Sequence, residues 1–152
     1  MIEIWDFNRP RPLIYCAAPY TQGDLVTNIR YVISMGERVM KMGGVPLIPH
    51  LNMLWDLVST HDGAFWCNYD LYLLERCEAL YRGQGHSPGG DKEVATALQP
   101  LQIPVFHQDR ESELLMYEWI TDWMIENDDS AARNPAFRRS RELRLTHSGI
   151  LG

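Results

Sequence analysis

The chain has 152 residues and a net charge of −6, with 45% hydrophobic, 11% aromatic and 22% charged side chains. These values fit one globular domain with a real core and exclude disorder of the bulk of the chain. No apolar run approaches the roughly 18 to 20 residues of a membrane span. An acidic body also argues against long nucleic acid as a partner, because counterion release needs a basic face.

The first twelve residues, MIEIWDFNRPRP, lack a basic segment followed by an apolar stretch, so no secretory signal is expected. Leu13 to Ala18 form a short apolar run ended by Pro19, the pattern of a buried strand. Residues 24–42 place Val26, Ile29, Val32, Ile33, Val39 and Met40 near helical spacing, and Gly43-Gly44 ends them. Val45 to Pro49 predict a second strand, residues 50–62 a mixed aromatic connection, and 63–77 a helix. A third strand follows at Ala79-Leu80-Tyr81. Residues 82–90 (RGQGHSPGG) must be a loop, Asp91–Leu98 a helix and Ile103–Phe106 a fourth strand. The last helix runs over about 110–126, with Leu114, Leu115, Trp119, Ile120 and Trp123 on its apolar side. Its surplus of large aromatics suits either a subunit interface or core packing.

This β-α-β-α-β-α-β-α order predicts an α/β fold: a single-domain, three-layer parallel sheet with helices on both faces, Rossmann-like or flavodoxin-like. The domain is expected over 1–127. Residues 128–152 carry a balance of +2 against −8 for the rest and read as a C-terminal arm, either solvated or packed on a partner subunit. Three cysteines (Cys16, Cys67, Cys77), an odd number without a CxxC, suit a reducing cytoplasm.

Ligands of open parallel sheets bind beyond the carboxyl ends of the strands, so the loops after strands 1 and 3 draw the eye. The loop from Gly83 to Gly90 is rich in glycines, which let backbone approach a ligand closely. Free N–H groups at the start of the following helix favour an anion, and Ser87 adds a hydroxyl. The loop is neither a dinucleotide fingerprint, since Pro88 stands where the last glycine belongs, nor a Walker loop. It is otherwise ordinary turn punctuation. Glu93, near the first turn of that helix, is either a carboxylate kept ionised by the helix dipole or a surface capping glutamate. Asp70 is either functional or a solvated helix residue, and Tyr15 either functional or a core tyrosine. The five histidines (50, 61, 86, 107, 147) show no metal-ligand spacing, so no metal and no cofactor are expected.

Taken together, three patches resemble the nucleoside 2-deoxyribosyltransferase superfamily, including its deoxynucleoside 5′-monophosphate N-hydrolase branch and phage-type members. They are Ile14-Tyr15-Cys16-Ala17-Ala18-Pro19-Tyr20 followed by Asn28, then Asp70-Leu71 through Cys77-Glu78-Ala79-Leu80, and Ser87-x-Gly89-x-x-x-Glu93-x-x-x-Ala97. The likeness covers about residues 12–106. It implies an enzyme of the deoxyribosyltransferase fold, an N-glycosidase or a nucleoside deoxyribosyltransferase, acting on a small deoxynucleoside or deoxynucleotide. Glu93 would attack C1′ and form a covalent deoxyribosyl ester, Tyr15 would hold Glu93, and Asp70 would bind sugar hydroxyls or assist proton transfer at the base. Ser87, Gly89, Gly90, Ala18, Pro19, Tyr20 and Asn28 would line the substrate site. Ser87, six residues before the nucleophile, stands where transferases carry an aspartate, which points to a 5′-phosphate and release to water. The segment after Pro19 offers Tyr20, Thr21 and Gln22 in place of the hydrolase branch's serine and arginine, and Ala18 replaces a common glycine. Base exchange on free nucleosides is the enzymatic alternative, and a nucleotide-binding sensor module the non-catalytic one. A homodimer or higher homo-oligomer is also implied.

Overall fold

The computed structural model describes residues 9–128; the expected arm, Asp128 excepted, lies outside them. Four strands, β1 (Leu13–Ala17), β2 (Val45–Leu47), β3 (Ala79–Arg82) and β4 (Val105–His107), form one sheet in the order β2-β1-β3-β4. Every pairing is parallel, with Tyr15 opposite Leu47 on one side and Leu80 on the other. The helices are α1 (Leu25–Met42), α2 (Met53–Val58), α3 (Gly63–Leu74), α4 (Pro88–Leu98) and α5 (Arg110–Asn127). The chain is therefore a single α/β domain with helices on both faces of a parallel sheet, as its element order requires.

Alternation along β1 divides the core. Ile14, Cys16 and Ala18 face α1 and α5, where they pack with Val32, Met35, Val39, Tyr81, Phe106, Met116 and Ile120. Tyr15 and Ala17 face the opposite layer with Leu74, Cys77, Leu80 and Ala97. A one-residue slip of this strand would exchange the two sets.

Several boundaries differ from expectation. The 50–62 connection contains a 3-10 turn (Pro49–Asn52) and the helix α2. With no buried residue of its own, α2 has no apolar stripe to betray it in the sequence. Helix α4 starts at Pro88 rather than Asp91: Ser87 caps it by accepting from the Gly90 N–H at 3.0 Å, and Pro88 fits the first helical position, where no N–H is needed. Strand β4 begins two residues later than expected. In α5 the buried line runs through Met116 and Ile120, with Trp119 packing on Phe106 at 5.7 Å, while Leu114 and Leu115 are exposed. Val26, Ile33 and Met40 are likewise exposed on α1, whose buried line is Val32, Met35, Gly36 and Val39. Single apolar residues off the stripe are normal on a surface.

Candidate functional site

A cavity of about 340 Å³ lies at the carboxyl ends of β1 to β3, bounded by the loops that follow them and by residues of α2, α3 and α4. Glu93, Asp70, Ser87, Gly89, Gly90, Ala18 and Tyr20 all line it. Tyr15 stands behind Glu93: its ring is fully buried, and its hydroxyl donates to Glu93 Oε1 at 2.6 Å. The inward face of β1 thus delivers the phenol to the helix that follows β3. Pro19 and Asn28 do not line the cavity. Pro19 is buried beside it, and Asn28 Nδ2 donates to the carbonyls of Tyr20 (2.9 Å) and Gln22 (2.7 Å), which fixes the loop after β1. Asn28 therefore shapes the wall without touching the space inside.

The early start of α4 moves Glu93 into the second turn, so it is not a capping residue. It also thins the expected anion cradle. Pro88 has no N–H, and the Gly90 N–H is taken by Ser87, which leaves the Gly89 N–H as the open first-turn donor. Asp91 is drawn away from the cradle toward Arg82, at 3.2 Å.

The carboxylates are not ordinary ones. Burial pushes Glu93 up to about 7; its hydrogen bond from Tyr15 opposes this, the charge of Asp70 adds to it and Arg82 opposes it. Burial pushes Asp70 up to about 6, partly offset by Asn52, whose Nδ2 lies 3.4 Å from Asp70 Oδ1. Desolvation thus works against the ionised form that the helix dipole favours, and Glu93, one turn inside the helix, is raised rather than lowered. Burial first, then the neighbouring Glu93 charge, pushes the Tyr15 phenol well above its usual range, so it remains a donor.

The remaining wall comes from residues 49–67, which the sequence reading did not single out. His50 is 6% exposed, its Nε2 lies 3.0 Å from the Pro19 carbonyl, and burial lowers its pKa. Because a carbonyl can only accept, Nε2 carries the proton. Asp56 accepts from Trp66 Nε1 at 2.7 Å and the His61 N–H at 2.9 Å, tying α2 to α3 across the cavity mouth. Trp66 lines the cavity, and behind it Trp55 and Tyr69 meet it and each other edge to face, at 5.5 to 5.8 Å. The signal for this wall was present: His50 and Asn52 directly follow β2, another carboxyl end of the same sheet.

A larger and more open groove, about 640 Å³, lies between α1 and the start of α5. Its Glu113 is occupied by Arg38 and by the Tyr81 hydroxyl, so the groove has no comparable reactive carboxylate. Among the described residues no group of three or more His, Cys, Asp or Glu could hold a metal, and no helix is long and apolar enough to cross a membrane.

No protein-family model matches the chain, and no curated protein matches it either. Among solved structures, the chain is similar to a 2-desoxiribosyltransferase from Leishmania mexicana, with a TM-score of 0.47 and 19% identity over 64% of this chain. The match spans 65% of that protein, less than two thirds of its length.

Proposed function

We propose that this chain cleaves the N-glycosidic bond of a 2′-deoxynucleoside 5′-monophosphate, with Glu93 as nucleophile. The observation that carries the reading is the partly buried Glu93 carboxyl, held by the Tyr15 hydroxyl at 2.6 Å in a cavity shared with Asp70. A lone helix glutamate would face water. This one has been desolvated and aimed.

The chemistry runs in two balanced steps. A Glu93 carboxylate oxygen bonds to C1′ as the C1′–N bond breaks, and the bonding pair leaves with the base, which takes up a proton from Asp70 or solvent. Water then attacks C1′ and gives one proton back to Asp70 or solvent, the ester C–O bond breaks, and Glu93 returns as carboxylate while deoxyribose 5-phosphate departs. Glu93 must be ionised to attack, which happens as pH rises through about 7. Asp70, also raised by burial, lines the same cavity and is placed to accept a hydrogen bond from the sugar 3′-hydroxyl or to assist proton transfer at the base.

Ser87 supports the phosphate: a hydroxyl beside the Gly89 N–H tolerates an anion that a carboxylate at this position would repel. The Arg82–Asp91 pair also takes one acidic side chain out of competition.

The test is incubation with the four deoxynucleosides and their 5′-monophosphates, with and without an acceptor base, read by chromatography. Release of free base from the monophosphates is expected, and Glu93→Ala should abolish it by at least ~10³-fold while leaving the fold intact. Exchanged nucleoside as the main product would shift the assignment to deoxyribosyl transfer. Ligand-induced thermal stabilisation without any base release would identify a binding module, and a fully active Glu93→Ala would refute the nucleophile.

A further inference from the structure

Arg82 ends β3 with 7% exposure, an unusual position for a cation. Its guanidinium donates to the carbonyls of Gly83 and Gly85 (the latter at 2.9 Å) and reaches Asp91 Oδ1 at 3.2 Å. Asp91 is 65% exposed, so this pair only weakly compensates the buried charge. The other side of the guanidinium lies on α4. A methyl group on Gly90 would sit 3.0 Å from Arg82 Nε and 3.1 Å from its Cζ. Gly90 and Glu93 are three residues apart on one helix and share a face, so the cation rests one turn below the carboxyl. Gly85, at φ +101°, turns the loop so that its carbonyl can meet Arg82.

We infer that Arg82 is a positioning residue for Glu93, clamping the Gly83–Gly85 turn against the start of α4 and placing a buried positive charge beneath the carboxyl. The inference rests on the reading of Glu93 as the nucleophile, but its physical content is separable from it. A carboxylate this desolvated needs a source of positive potential to be available near neutral pH, and among the described residues Arg82 is the one buried arginine or lysine. The other groups around Glu93 do not supply it. Tyr15 from β1 is a neutral donor, and Asp70 from α3 is acidic. On α4 itself Asp91 is acidic and Lys92 is exposed; across the cavity His50 is held neutral and Asp56 is acidic.

The experiment follows the Glu93 carboxyl by carbon NMR of carboxyl-labelled glutamate, its signal assigned by its loss in Glu93→Gln, over pH 4 to 10. Arg82→Gln keeps an amide donor and removes the charge; it should raise the Glu93 midpoint by roughly half a pH unit or more. Arg82→Lys keeps the charge but gives up the forked donor, and should leave the midpoint within about 0.3 units of the parent if the charge is what acts on Glu93. An unmoved midpoint in Arg82→Gln overturns the inference. Should that variant fail to fold, Arg82→Lys decides: a parental midpoint supports the role of the charge, and a raised one overturns it. Base release is measured in the same proteins. A shifted midpoint without base release from the parent would leave Arg82's role standing and remove the glycosidase reading. Base release with an unshifted midpoint would do the reverse.

Discussion

Tyr15 and Glu93 form a pair in which one oxygen changes the chemistry of another. The phenol is fully buried and donates at 2.6 Å, which favours the charged carboxylate against the desolvation that pushes it to about 7. Tyr15→Phe leaves the ring in its pocket and deletes only that donor. The Glu93 midpoint should then rise by roughly one pH unit, and the ascending limb of base release with it. Activity at neutral pH should fall about tenfold and recover partly on the alkaline side. An unshifted limb in a folded Tyr15→Phe protein would mean that the hydrogen bond does not set the ionisation. This pair was legible in the sequence only through the resemblance, since neither residue is unusual in its own segment. The raised pKa was not legible at all. Desolvation depends on what closes over the carboxyl, and here that includes the Pro49–Cys67 wall, whose residues lie far from Glu93 in sequence.

Ser87 does two things for α4. As N-cap it accepts from the Gly90 N–H, and as a cavity wall it keeps a hydroxyl hydrogen free to donate. Ser87→Ala should therefore lower stability by about 1 kcal/mol, roughly 3 °C in Tm by thermal melting. If the hydroxyl meets the 5′-phosphate, KM for the monophosphate should rise several-fold more than KM for the free nucleoside. Equal changes for both substrates would remove Ser87 from phosphate recognition while leaving its capping role. Elements of this kind were readable where punctuation is strong: Asp24 caps α1, Gly43 follows its end, and the strands lie close to their apolar runs. They were unreadable where tertiary contacts decide. The helix α2, with no buried residue, is held by its Asp56, which takes hydrogen bonds from His61 and Trp66. The inward line of α5 could not be told from its equally apolar neighbours, Leu114 and Leu115.

A domain that buries two carboxyl groups with one cavity must carry the consequence in its stability. Glu93 and Asp70 both bind protons more tightly in the folded chain than in the unfolded one, at about 7 and about 6 against ordinary values near 4. Between about pH 4 and 7 the folded state therefore holds more protons than the unfolded state, and stability falls as pH rises across that window. His50 acts with the opposite sign: its lowered pKa favours the neutral ring, so its contribution is full above its unfolded value and is lost as pH falls through the folded one. A bare pH–stability curve mixes these terms, but a substitution isolates one of them. Glu93→Gln keeps the shape and removes the titration. At pH 8 it should melt above the parent, because the parent holds a desolvated charge there that the variant lacks, an effect of up to about 3 kcal/mol from Glu93 alone. At pH 5 the parent carboxyl is protonated and the two proteins should melt close together. The measured quantity is the difference in Tm between variant and parent at the two pH values, taken without substrate. A difference that stays the same from pH 5 to pH 8 would mean that Glu93 is as well solvated as any surface glutamate, and the nucleophile would lose its physical basis whatever activity were found.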